Sequence, residues 1–117
     1  MTDISKTLRD VTLRQLKTFR SVANAGGISA AARELHLTQP AVSMQLKELE
    51  NSSGVTLYER SGRGIKLTNA GKIVLNTATA ILDTLSNTQE SLDAMIGLKT
   101  GVLKLATVST AKYFAPS

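Results

Sequence analysis

The segment Thr38-Gln39-Pro40-Ala41-Val42-Ser43-Met44-Gln45-Leu46-Lys47 offers the chain's richest chemistry. At 100° per residue, Val42, Leu46 and Leu49 fall within about 60° of one another, while Pro40, Ser43, Met44 and Lys47 face the opposite side. The first set can pack, and the second is presented outward just after Gln39. Small, polar and basic groups at the start of a helix suit a nucleic-acid major groove, where glutamine reads adenine and serine or lysine reaches base edges or phosphates. An ordinary solvated helix face fits the same residues. Arg60 and Arg63 add cations nearby in sequence.

Chemistry of other kinds finds little support. The chain has no cysteine and one histidine, so neither a disulfide nor a thiolate metal site can form, and zinc lacks a ligand set. No cofactor is expected. The carboxylates form no spaced pair, no nucleophile motif occurs, and His36 between two leucines reads as structural, so an enzyme is the weakest reading. Gly62-Arg63-Gly64 lacks the strand-loop-helix setting and the Gly-Lys-Ser/Thr of a phosphate-binding loop.

Several elements must position these residues. Thr12-Leu13-Arg14-Gln15 fits a capping box, and Leu13, Leu16, Phe19, Val22 and Ala23 recur at helical spacing up to Gly26-Gly27. Ser29 can cap a short, alanine-rich helix to Leu35, and Thr38 can cap a longer one to about Ser52, with Pro40 tolerated in its first turn. A short helix, a tight connection and a longer helix opening on polar residues is a helix-turn-helix layout. Val55-Thr56-Leu57-Tyr58 and Ile65-Lys66-Leu67 read as two strands around a glycine-containing turn whose tip carries Arg60 and Arg63. Such a wing can touch backbone phosphate or insert an arginine into the minor groove.

The 117 residues carry a net charge of +5. Residues 1–66 hold 10 basic and 6 acidic side chains, and residues 67–117 hold 4 and 3, so the excess lies in the first half. Arg60, Arg63, Lys66 and Lys72 follow one another without an intervening acid, a distribution that favours a polyanion and equally fits a solvated surface. No stretch of about 18 apolar residues occurs and the N-terminus lacks a secretion-signal core, so a soluble cytoplasmic protein without membrane contact is expected.

From Thr68 to Gly97 the chain has no proline, and Val74, Ala78, Ile81, Leu85, Thr88, Leu92 and Met95 alternate by four and three residues as a heptad seam. A helix of this length, about 45 Å, exceeds what a winged domain of about 60 residues can cover. A second copy of the chain is the simplest partner, and burial against another domain of the same chain is the alternative. The Gly97 to Gly101 stretch reads as the helix end, and Val102–Val108 as a strand that cannot form a sheet alone.

Ala31-Ala32-x-x-Leu35-x-Leu37-Thr38-Gln39-Pro40-Ala41-Val42-Ser43-x-x-Leu46-x-x-Leu49-Glu50, then Gly54, Leu57-x-x-Arg60 and Leu67-Thr68-x-x-Gly71, resembles the N-terminal signature of LysR-type transcriptional regulators over about residues 11–72. The resemblance implies a mainly α fold: a winged helix-turn-helix with a β-hairpin wing, followed by a long dimerising linker helix and an effector-binding domain. On this plan residues 1–10 are an N-terminal arm, 11–68 the winged domain with its helix-turn-helix at about 28–47, 69–97 the linker, and 98–117 the start of a truncated effector domain. It implies DNA contacts for Gln39, Pro40 and Ser43 and for the wing arginines, here Arg60 and Arg63. Ser29 and Thr38 can donate to phosphates as well as cap helices, and Met44 and Lys47 share the reading face. Many members carry arginine where this chain has Met44, which cannot make a bidentate contact with guanine. Ser109 or Thr110 would line an effector cleft.

Within the family, the stretches Thr12–Leu16, Leu35–Gln45 and Lys112–Pro116 look like the branch called CbbR, which controls carbon-fixation genes. The expected function is sequence-specific transcriptional regulation by a dimer on an interrupted palindrome. Its partners would be double-stranded promoter DNA, a second copy of the chain with a tetramer open at full length, a small-molecule effector, and RNA polymerase. The reading from another class is an architectural protein, whose coiled coil sets its oligomeric state and whose basic winged domain binds without sequence preference.

Overall fold

A computed structural model describes residues 7–100, and side chains up to residue 97. The tail strand, Ser109, Thr110 and the first six residues of the expected arm lie outside the described residues. A 3-10 turn, Leu8–Asp10, precedes α1 (Leu13–Ala25), α2 (Ile28–Leu35), α3 (Gln39–Ser53), the hairpin strands β1 (Tyr58–Ser61) and β2 (Gly64–Leu67), and α4 (Asn69–Thr100). Two compact units divide this chain, one reaching Leu82 and one starting at Asp83.

Local chemistry sets each helix boundary of the first unit. The Thr12 Oγ1 accepts the Gln15 N–H at 3.1 Å while the Gln15 Oε1 accepts the Thr12 N–H at 3.1 Å, so the capping box forms as expected. Gly26, at φ 82°, ends α1 by donating to the Val22 carbonyl, a conformation that suits a residue without Cβ. Helix α2 starts two residues earlier than a Ser29 cap would place it: its N-cap is Gly27, with no side-chain cap hydrogen bond, and Ser29 lies inside the first turn. A Cβ at Gly27 would meet the Gly64 Cα and the Arg63 carbonyl oxygen at ordinary van der Waals distance, 3.7 and 3.8 Å.

The turn from α2 to α3 is a Schellman motif. The Leu37 N–H donates to the Ala32 carbonyl at 2.9 Å and the His36 N–H to the Arg33 carbonyl at 3.3 Å. His36 occupies the left-handed position at φ 59°, where glycine is the usual residue. The Thr38 Oγ1 then caps α3 by accepting the Ala41 N–H at 3.2 Å, with Pro40 in the first turn.

Leu16, Phe19 and Val22 of α1, Ile28, Ala31 and Ala32 of α2, and Val42, Leu46 and Leu49 of α3 form one core with Leu57. Leu13, part of the same apolar series, is exposed, because its position on the helical wheel lies about 120° from the centre of the buried face. The core extends to Val74 (7 % exposed), Ala78 (0 %) and Leu82 on α4. This corrects the seam assignment at its beginning: the strip facing the winged core runs every fourth residue, so Val74 and Ala78 are consumed within one chain. Helix α4 also continues through Gly97 to Thr100, so that glycine does not end it.

The hairpin strands differ in their bounds from the sequence expectation. Tyr58 pairs with Leu67, Arg60 with Ile65 and Ser61 with Gly64, leaving Gly62-Arg63 as a two-residue turn. Gly62 has φ 60°, the positive value required at the first central position of a type II′ turn. Val55–Leu57 do not join the strand, because Leu57 is docked elsewhere: its N–H donates to the Glu50 Oε2 at 2.8 Å, and its carbonyl accepts the Thr68 N–H at 3.0 Å. The Thr68 Oγ1 donates to the Thr56 carbonyl at 2.7 Å and accepts the Gly71 N–H at 2.9 Å, tying the start of α4 to the approach to the wing. A Cβ on Gly71 would overlap the Leu57 carbonyl oxygen. The second anchor is the Ile65 N–H, which donates to the Gly26 carbonyl at 3.1 Å.

Candidate nucleic-acid interface

Burial of Val42, Leu46 and Leu49 fixes the rotation of α3 and turns its other side outward. Gln39, Pro40, Met44 and Lys47 are exposed, and Ser43 is half-buried among them. Packing against α1 is supplemented by two polar ties, Thr18 Oγ1 to Gln45 Oε1 at 2.8 Å and Gln15 Nε2 to Glu48 Oε1 at 3.2 Å. These hold the helix from the side opposite its exposed face. The N-terminus of α3 presents the positive end of the helix dipole, which favours phosphate, although Pro40 has no N–H and the Ala41 and Val42 N–H groups already donate to Thr38.

At this end the structure joins residues from two helices. The Ser29 Oγ accepts from the Gln39 Nε2 at 3.3 Å and from the Arg33 Nη1 at 3.4 Å. Arg33 was absent from the sequence-based site; its only signal was a spacing of four residues from Ser29 along α2. Met44 is 59 % exposed, an apolar side chain that with Pro40 adjoins the polar Gln39, Ser43 and Lys47.

On the wing, Arg63 occupies the turn and is exposed, whereas Arg60 is a strand residue opposite Ile65 and not part of the tip. Alternation along β1 places Arg60 on the same hairpin face as Tyr58. Burial, followed by the negative charge of Glu50, raises the Tyr58 pKa above 10.0, with Arg60 acting in the opposite direction. On the other face Glu59 is opposite Lys66, a cross-strand pair of opposite charge.

Among the described residues no cluster of histidine, cysteine or carboxylate side chains could hold a metal, and no helix is long and apolar enough to cross a membrane. Along α4, Ile81, Leu85, Leu92 and Met95 are exposed apolar side chains.

Two helices joined by a tight turn, the second with an exposed polar N-terminal face, and an antiparallel hairpin with an arginine at its turn define a winged helix-turn-helix module. Residues 13–72 match the family model described as bacterial regulatory helix-turn-helix protein, lysR family. The chain belongs to this LysR family of transcriptional regulators. It is 47 % identical over 104 residues to the HTH-type transcriptional regulator CbbR of Rhodospirillum rubrum, covering 89 % of this chain and 35 % of that protein. To the RuBisCO operon transcriptional regulator of Allochromatium vinosum it is 45 % identical over 106 residues, covering 91 % and 35 %. The crystal structure of a CbnR_DBD–DNA complex superimposes with a TM-score of 0.66 at 44 % identity, covering 73 % of this chain and 98 % of that one. The chain thus spans about a third of the length of the curated relatives it matches.

Proposed function

We propose that this chain is the DNA-binding and linker part of a LysR-type regulator that binds an interrupted palindrome as a dimer and controls carbon-fixation genes. The observation that carries this reading is the exposed N-terminal face of α3, held outward by Val42, Leu46 and Leu49 in a fold shared with a DNA-bound relative. Gln39 and Ser43 read base edges, with Pro40 and Met44 beside them. Lys47, Arg60 and Arg63 meet phosphates or the minor groove, and the hydroxyls of Ser29 and Thr38 also fit phosphate contacts.

Ile81, Leu85, Leu92 and Met95 of α4 form the dimer seam, which two-fold symmetry would use to present two recognition helices. The names of the two curated relatives, one a regulator of a RuBisCO operon, support carbon fixation as the regulated process. Promoter DNA and a second copy of the chain are the direct partners. A small-molecule effector reaching Ser109 and Thr110, contact with RNA polymerase, tetramer formation and a cytoplasmic location belong to the regulator as a whole. The role is regulatory and not enzymatic.

The test is affinity selection of sheared genomic DNA by the purified chain at moderate salt, followed by sequencing. Enrichment of a few upstream regions sharing an interrupted palindrome supports the reading, and carbon-fixation promoters among them support the regulated process. Uniform recovery of all fragments would favour the architectural alternative.

A further inference from the structure

We infer that Met44 is a specificity-determining residue that reads the 5-methyl group of one thymine in each half-site. The inference rests on the DNA-binding role proposed above and adds to it a base identity. Met44 is 59 % exposed, although α3 has a buried face where a methionine could pack. On the helix it follows Pro40 by four residues, so the two stack on one edge of the exposed face. Gln39, Ser43 and Lys47 form the adjoining strip at the same four-residue interval. The result is an apolar edge, Pro40 and Met44, beside a polar one.

The major groove contains a chemical match for each strip. Hydrogen-bond donors and acceptors occur on every base pair, whereas the thymine 5-methyl is the one apolar group exposed there. A thioether has no hydrogen to donate and accepts weakly, so the polar base edges offer Met44 little. Its unbranched, polarisable side chain adapts readily to a methyl surface. Docking α3 through Gln39 and Ser43 would bring the Met44 edge against the neighbouring base pair and cover it.

The test uses the strongest duplex from the selection experiment. Each thymine of a half-site is replaced in turn by deoxyuridine, which keeps all hydrogen-bonding groups and removes only the methyl. One position per half-site should weaken binding about fourfold, the size expected for one methyl group leaving water. Met44→Ala, a surface change, should bind the parent duplex more weakly and lose the sensitivity to deoxyuridine at that position. Wild-type indifference at every thymine, or a Met44→Ala protein that keeps the full deoxyuridine effect, overturns the assignment. Failure to enrich any sequence in the selection overturns the DNA-reading role itself, a result distinct from specific binding that ignores the methyl.

Discussion

His36 and Ser21 show how single side chains depart from the local optimum. His36 holds a left-handed conformation within the Schellman turn, and such a conformation costs an L-residue about 1–2 kcal/mol. His36→Gly should stabilise the domain by about 0.5–1 kcal/mol after the added unfolded-state entropy of glycine is offset, seen as a higher urea midpoint with an unchanged slope. The buried Ser21 hydroxyl has no hydrogen-bond partner, so Ser21→Ala should be neutral or stabilising by about 1 kcal/mol. Gly71 is the reverse case, because any Cβ meets backbone. Gly71→Ala should cost about 2–4 kcal/mol, and thermal melting would register it. Neither the His36 strain nor the Gly71 contact was legible from residue type: the first depends on a backbone angle, the second on a chain segment fourteen residues away.

Helices were legible because their signals are local. Thr12 with Gln15, Thr38 with Ala41, and Gly54 after α3 each act within four residues. The bounds of β1 were not, since Leu57 is withdrawn from it by Glu50 and Thr68, partners seven and eleven residues distant. Tyr58 ties this segment to pH. Its neutral form is favoured in the fold, chiefly by burial, so above pH 10 the unfolded chain releases its proton first and stability declines as pH rises toward the folded value. Tyr58→Phe should reduce this alkaline loss, measured as the urea midpoint across pH 9 to 11. Helix α4 teaches a similar lesson: a four-three repeat marks an apolar stripe without saying what covers it. Val74 and Ala78 cover their own core, so Ala78→Leu should overpack it and lower stability by about 1–3 kcal/mol.

At the scale of the molecule, the reading surface was legible in outline and incomplete in detail. The apolar periodicity in α3 identified its outward side, while the Arg33–Ser29–Gln39 contact crosses two helices and depends on how they pack. For the proposed dimer, Leu85→Asp should produce monomers in analytical ultracentrifugation while leaving the circular dichroism of the winged unit intact, because Leu85 lies outside its core. Arg63→Ala should weaken binding to all sequences and flatten the salt dependence, whereas Gln39→Ala should narrow the ratio of specific to random affinity by about 1–3 kcal/mol. Fluorescence anisotropy over a salt series separates the two.

The bond from the Ile65 N–H to the Gly26 carbonyl bears on how the wing opens. A two-stranded hairpin alone is marginal in water, and its amides would ordinarily exchange with solvent through local fraying. The Ile65 amide faces away from β1 and is sealed by the end of α1, so its deuterium uptake should follow the slow opening of the helical core while the amides at the turn exchange early.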